Sequence, residues 1–227
     1  MQYSVQQLAS SIDHTLLKPD ATAQHIDVLC AEAVEHSFAS VCILPWHVRR
    51  ASAATAGSSV AVCTVVGFPL GGTYADIKVA EAMRSMDDGA QEIDMVTNVT
   101  ALKSGDVDAV LHDVRSVVTA VHARKGIVKV IIETCLLTDE EKRRMCSIVT
   151  QAGADFIKTS TGFSTGGATV ADVMLLRDHV GPGVRVKASG GIREVGTAMS
   201  MLAAGASRLG TSSGVAIVRG VVGEATY

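Results

Sequence analysis

Aromatic side chains are scarce in this sequence, at 4 % with one tryptophan, although 48 % of the residues are apolar. The apolar content is carried largely by alanine and valine beside abundant glycine. That mix suits short helices packed closely on buried strands and argues against a disordered or fibrous chain. No apolar run reaches the roughly 18 residues needed to span a bilayer. The start, Met1-Gln-Tyr-Ser-Val-Gln-Gln-Leu8, lacks the basic and then apolar order of a signal peptide, so a cytoplasmic protein is expected. Neither sign of charge dominates. The formal net charge is -3, which gives no footprint for nucleic acid or an acidic membrane. The five cysteines (Cys30, Cys42, Cys63, Cys135 and Cys146) include no CxxC pair, and the seven histidines show no HxH or HExxH spacing. Reduced thiols, and neither a metal nor a cofactor, are therefore expected.

What is present is an alternation of short β-rich runs with longer amphipathic ones. Strands are predicted at 12–17, 40–44, 60–66, 92–96, 127–132, 156–159, 184–188 and 207–210. Helices are predicted at 22–36, from Pro45, and at 74–87, 107–122, 139–151, 169–179, 194–203 and 214–219. This spacing implies βαβ units and a parallel sheet. The G-x-G-x-x-G expected after the first strand of an open dinucleotide-binding sheet is absent. Eight units fit a closed α/β (β/α)8 barrel, and a barrel of this kind typically needs roughly 250 residues. No linker or low-complexity segment divides the chain, so one domain over 1–227 is expected, ending in a tail over 220–227.

Several of these strands carry ionisable residues where burial on both faces calls for apolar ones. Side chains alternate along a strand. Glu92 and Asp94 therefore share a face, as do Lys129 and Glu133, Lys158 and Ser160, and Arg185, Lys187 and Ser189. One reading is a set of structural ion pairs plugging the barrel, such as Lys129 with Asp94. Inward charge on four consecutive strands favours function instead. Adjacent parallel strands lie about 4.8 Å apart, which brings the Lys158 and Lys187 ammonium groups within roughly 6 Å. At an effective dielectric of about 20 their repulsion is roughly 3 kcal/mol, or about two pKa units. One of the two is then expected to be a neutral amine near pH 7–8, as imine chemistry requires. Charge alone does not say which one. Asp94 either neutralises a lysine or moves protons through water.

Glycine clusters form a second constellation. Ser189-Gly190-Gly191 follows the seventh strand and Gly210-Thr-Ser-Ser-Gly214 the eighth, each before a helix. Loops in these positions commonly hold phosphate, with backbone N–H groups and, here, the Ser212 and Ser213 hydroxyls as donors. Ordinary tight turns are the competing explanation.

Motifs spread over most of the chain resemble those of the deoxyribose-phosphate aldolase family of class I, Schiff-base-forming aldolases. They are Ile12-Asp-His-Thr-Leu-Leu-Lys-Pro19, Val65-Val-Gly-Phe-Pro-Leu-Gly71, Glu92-Ile-Asp-Met-Val96, Val128-Lys-Val-Ile-Ile-Glu-Thr-Cys135, Gly153-Ala-Asp-Phe-Ile-Lys-Thr-Ser-Thr-Gly-Phe163, Val186-Lys-Ala-Ser-Gly-Gly-Ile-Arg193 and Gly205-Ala-Ser-Arg-Leu-Gly-Thr-Ser-Ser-Gly214. The resemblance implies cleavage of 2-deoxy-D-ribose 5-phosphate to D-glyceraldehyde 3-phosphate and acetaldehyde. It implies Lys158 as the imine-forming residue, Lys187 as the neighbour that lowers its pKa, and Asp94 as proton donor and acceptor. It places phosphate at Gly162, Gly190, Gly191, Gly210, Ser212 and Ser213, with Thr161 and Lys129 in support. Some members end in a tyrosine that enters the site, which makes Tyr227 a candidate. Two departures are visible: Leu44 stands where the family commonly has asparagine, and Thr97-Asn-Val-Thr100 differs from the commoner I-N-V-G. Rival readings are a non-catalytic phosphosugar-binding barrel and an aldolase of other phosphorylated substrates. The outer helices show no single interface stripe, so assembly stays open between a homodimer and a higher homo-oligomer. A small phosphosugar is the expected partner.

Overall fold

A computed structural model describes residues 4–223. Eight parallel strands close into a barrel in sequence order: β1 Ile12–Leu16, β2 Ser40–Ile43, β3 Ala61–Val66, β4 Glu92–Val96, β5 Ile127–Ile131, β6 Phe156–Lys158, β7 Arg185–Ser189 and β8 Ala206–Thr211. The helices are α1 Val5–Ala9, α2 Ala23–His36, α3 Val48–Ala54, α4 Ala75–Asp87, α5 Val99–Lys103, α6 Val107–His122, α7 Asp139–Ala152, α8 Val170–His179, α9 Val195–Ala204 and α10 Gly214–Val218. This is the (β/α)8 barrel that the alternation predicts. Among the described residues no helix is long and apolar enough to cross a membrane.

Local chemistry explains where the helices begin. Thr138 caps α7 through a reciprocal box with Glu141, three acidic residues fill its first turn, and Gly153 ends it with φ 76°. Such a cap contributes about 1 kcal/mol, and the acids oppose the positive end of the helix dipole. Two short helices fall outside the predicted pattern. α1 is capped by a Ser4–Gln7 box and α5 by the Asn98 side chain, each only five residues long. A helix this short shows little apolar periodicity, so capping is its only local signal. Pro45 opens a 3-10 turn over Pro45–His47 rather than the helix itself, and α3 follows from Val48.

Strand alternation divides the core in two. Outward-facing Val41, Ile43, Val62, Ile93, Met95, Val128, Val130 and Ile157 pack under the helices. On α6 the stripe Val110, Val114, Val117 and Val121 recurs at helical spacing and is fully buried against this layer. Inside the barrel the apolar share is small: Leu17, Cys42, Cys63 and Val65 form one cluster. At the lower end Phe156 plugs the channel, with the Arg185 guanidinium 4.0 Å from its ring centre. Arg185 is exposed there, well below Lys187 and Ser189 on the same strand face. Much of the rest of the interior is charged, with Asp13, Glu92, Asp94, Lys129, Lys158 and Lys187 all buried.

Candidate active site

The barrel register sets the charged residues side by side. Asp94 pairs with Lys129, Ile131 with Lys158, and Lys158 with Lys187. A bulge between β7 and β8 then places Arg208 opposite Lys187. Bulges re-aim side chains in this way.

Asp94 is the hub. It is fully buried, and its Oδ1 accepts from Lys129 Nζ at 2.8 Å while its Oδ2 accepts from both Lys158 Nζ at 2.8 Å and Lys187 Nζ at 2.7 Å. The Cys63 thiol also reaches Oδ1, at 3.1 Å. Burial alone would raise this carboxyl, but three ammonium groups outweigh it and hold Asp94 well below the usual aspartate range. Lys187 has a second carboxylate, Asp13 Oδ2, at 2.5 Å. Burial would push the Lys187 ammonium down, yet Asp13 and Asp94 together hold it well above the ordinary lysine value. Lys129 is likewise surrounded, with Glu92 at 2.6 Å, Asp94 at 2.8 Å and Asp13 at 3.7 Å, and the same balance keeps it firmly charged. Arg208 closes the network on Asp13 and Glu92.

Proximity therefore does not leave Lys158 and Lys187 to repel each other unscreened, as strand spacing alone suggests, because a carboxylate oxygen sits between them. The asymmetry lies in the number of acids each cation touches. Among the described residues Lys129 has three, Lys187 two, and Lys158 only the oxygen it shares with Lys187. Four cations (Lys129, Lys158, Lys187, Arg208) face three carboxylates (Asp13, Glu92, Asp94), so the fully ionised network carries one surplus positive charge. Loss of a proton removes that surplus, and Lys158 has the fewest contacts to lose. Its side chain is also the one of the three lysines that reaches the surface at all, at 3 % exposure against zero.

Above this network the strands open into a hollow of about 830 Å³ lined by Gly162, Gly190, Gly191, Gly166, Arg193 and Lys18, among others. Gly162 lies four residues beyond Lys158 and Gly190 three beyond Lys187. Gly190 and Gly191 both adopt left-handed backbone, φ 87° and 79°, which any other residue would strain to adopt. Gly190 also meets Gly167 so closely that a Cβ would stand 2.9 Å from its Cα. Gly210 occupies a different place. A Cβ there would lie 2.9 Å from Ser189 Cβ and 3.2 Å from Lys187 Cε, so this glycine leaves room for the lysine stem. Ser212 and Ser213 line hollows beside His14 and Glu32, one of which shares Lys18 and Asp20 with the larger hollow. Thr161 is buried and bonded to Glu133. Tyr227 lies outside the described residues. Leu44 packs at the edge of the small apolar cluster inside the barrel.

Sequence reasoning passed over Asp13 and Arg208. The available signal was the strand period, which puts Asp13 at an inward position of β1 and Arg208 on the face of Gly210. Among the described residues one group of metal-ligand type occurs, Cys42, Cys63 and Asp94, with donor atoms within 4.8 Å of one another. It fits a cation poorly: both Asp94 oxygens are engaged by ammonium groups, and burial and the hydrogen bond with Cys42 push the Cys63 thiol up.

Comparison with known proteins agrees along nearly the whole chain. Residues 8–221 match the family described as DeoC/LacD family aldolase. The deoxyribose-phosphate aldolase of Brevibacillus brevis is 58 % identical over 209 residues, covering 92 % of this chain and 94 % of that protein. The Streptococcus gordonii enzyme of the same name is 54 % identical, covering 95 % and 97 %. Among solved structures, the tetrameric deoxyribose phosphate aldolase of Aeropyrum pernix superposes with a TM-score of 0.89 at 36 % identity, covering 95 % of this chain and 91 % of that one.

Proposed function

The chain belongs to the DeoC/LacD aldolase family, and from that premise we propose how its barrel mouth performs the reaction. The protein is an aldehyde-lyase that reversibly cleaves 2-deoxy-D-ribose 5-phosphate to D-glyceraldehyde 3-phosphate and acetaldehyde through a lysine Schiff base. Lys158 is the nucleophile. The observation that carries this choice is its single, shared carboxylate contact, against two for Lys187 and three for Lys129. As a free amine it attacks the open-chain aldehyde carbon of the sugar. Loss of the carbinolamine hydroxyl as water leaves an iminium whose positive charge replaces the ammonium beside Asp94.

The iminium withdraws electrons from the adjacent carbon–carbon bond. Removal of the proton from the sugar's C3 hydroxyl breaks the C2–C3 bond, releases glyceraldehyde 3-phosphate and leaves an enamine on Lys158. Protonation at C2 and hydrolysis return acetaldehyde and the amine. Asp94 relays these protons through water, and Lys187, held charged by Asp13 and Asp94, keeps the carboxylate turned toward the reacting nitrogen. Lys129 supports the other Asp94 oxygen.

The hollow bordered by Gly162, Gly190 and Gly191 takes the phosphate, with Arg193 and Lys18 as its nearby cations; Gly210 gives the Lys187 stem its room, and Ser212 lines the neighbouring hollow that shares Lys18 and Asp20. The enzyme works as one barrel domain in the cytoplasm and assembles as a homo-oligomer. Trp46, 90 % exposed, together with exposed Leu70 and Tyr74, gives it apolar surface to cover. A direct test is product formation in the presence of a chelator. Equimolar acetaldehyde and glyceraldehyde 3-phosphate from the deoxy sugar are expected. Cleavage of a keto-sugar phosphate but not of the deoxy sugar would overturn the substrate assignment.

A further inference from the structure

Glu133 is a buried carboxylate that forms no ion pair among the described residues. It sits just beyond β5, on the inward face after Lys129 and Ile131, and is 4 % exposed. Its backbone is left-handed, φ 54° and ψ 68°, a conformation that side-chain-bearing residues seldom keep without a reason. Neither the ion-pair network nor the chemistry above uses it.

Its partners show what holds it there. Both carboxylate oxygens accept from the Thr161 N–H at 3.3 Å, and Oε2 also takes the Thr161 hydroxyl. That hydroxyl in turn accepts from the Phe163 N–H at 3.0 Å. The strand ladder brings the two segments together, since Ile132 N donates to Lys158 O and Thr134 N to Thr159 O. Of the consecutive N–H groups at 161, 162 and 163, the outer two are thus turned onto Glu133 and Thr161. Gly162, in left-handed backbone at φ 87°, is left to line the hollow opposite Gly190 and Gly191.

We propose that Glu133 is a positioning residue for the phosphate end of the substrate: by clamping Thr161 it sets the Gly162 turn that forms one wall of the phosphate hollow. A carboxylate suits the task because a charged acceptor makes stronger hydrogen bonds to backbone N–H than a neutral one. It also draws two donors away from the hollow, so the anion meets one defined wall and not a mobile loop. The proposal rests on the reading that phosphate binds in this hollow.

The test compares the phosphorylated substrate with 2-deoxy-D-ribose, which has the same reacting carbons and no phosphate. In Glu133→Ala the KM for the phosphorylated sugar should rise at least about tenfold with kcat changed far less, while kcat/KM for the unphosphorylated sugar falls less than about threefold. Glu133→Gln keeps an acceptor for the Thr161 N–H and should recover part of the loss. Thr161→Val should lose affinity for the phosphorylated sugar as Glu133→Ala does, and Thr161→Ser, which keeps the hydroxyl, should recover part of that loss, which keeps the comparison informative if Glu133→Ala folds poorly. Equal losses on both sugars would overturn the proposal in favour of a general structural role. A fall in kcat with a displaced pH–rate profile would overturn it in favour of a proton-transfer role. Borohydride trapping of acetaldehyde on Lys158 separates this failure from that of the parent reading: trapping in the parent enzyme and in Glu133→Ala leaves the lysine chemistry standing whatever the phosphate preference does.

Discussion

Two buried lysines in this protein meet carboxylates in opposite ways. Lys78 lies outside the barrel, where α4 packs on α6. It is fully buried and bonds Asp113 at 2.6 Å and the Val96 carbonyl at 2.9 Å. Its stem fills the space above Gly67, where a Cβ would come within 2.9 Å. Lys158 points into the barrel and shares its one carboxylate oxygen with a second ammonium. A private carboxylate in a closed packing site makes a cation structural, because loss of either partner strands the other in low dielectric. A shared carboxylate beneath an open mouth makes a cation replaceable. What sets Lys158 apart is that its carboxylate is shared with a second ammonium, since burial and a single acid contact are common to both.

The comparison breaks most sharply under substitution. Lys158→Ala should lower kcat/KM by at least about a thousandfold while the folded state survives, because one surplus positive charge is removed. Lys78→Met should do the reverse. It should cost about 3–5 kcal/mol of stability by leaving Asp113 buried and unpaired, and change kcat little. Burial already pushes the Asp113 carboxyl above its ordinary value against the pull of Lys78, so Lys78→Met with Asp113→Leu should recover most of the loss. Urea unfolding and steady-state kinetics on the same preparations read both effects. A Lys78 variant that keeps its stability but loses turnover would erase the distinction.

Lys187→Met is expected to act less strongly, slowing turnover by about 10²–10³-fold. Without Lys187, the Asp94 oxygen belongs to Lys158 alone, the private pairing that Lys78 has with Asp113. Turnover unchanged in steady-state kinetics would mean that sharing the carboxylate has no bearing on reactivity.

The smallest effect is on acid stability. Asp13 and Asp94 titrate in the folded protein below the ordinary aspartate value of about 3.9, burial opposing the shift and the buried cations imposing it. Their contribution to stability is present above that value and is lost as pH falls towards the lowered folded values. Asp13→Asn should be less stable than the parent at pH 7, with the gap narrowing below about pH 4. A gap that stays constant with pH would remove Asp13 from the electrostatic account.

Much of this was legible in the sequence, and the exceptions have physical causes. The (β/α)8 order follows from the alternation of periods, and all eight strands appear within a few residues of their predicted places. The inward charges of β4 to β7 follow from period two, and the Lys129–Asp94 contact is present at 2.8 Å. The difference in acid contacts between Lys158 and Lys187 was not legible from strand spacing, because it depends on Asp13, which reaches Lys187 from β1 across the barrel. Periodicity places a residue on a face and says nothing of which partner crosses the lumen. The glycine clusters were visible as clusters, yet they serve different ends: Gly190 and Gly191 for left-handed turns, Gly210 for the passage of a lysine stem. Glu133 shared a face with Lys129 in the sequence, but its bond to Thr161 depends on loops beyond the strands.

Borohydride reduction of the enzyme in the presence of acetaldehyde, followed by peptide mass mapping, tests the carboxylate-sharing account most directly. The account predicts one ethyl adduct, on Lys158, with Lys78, Lys129 and Lys187 unmodified. An adduct on Lys187, which two carboxylates hold charged, would contradict it.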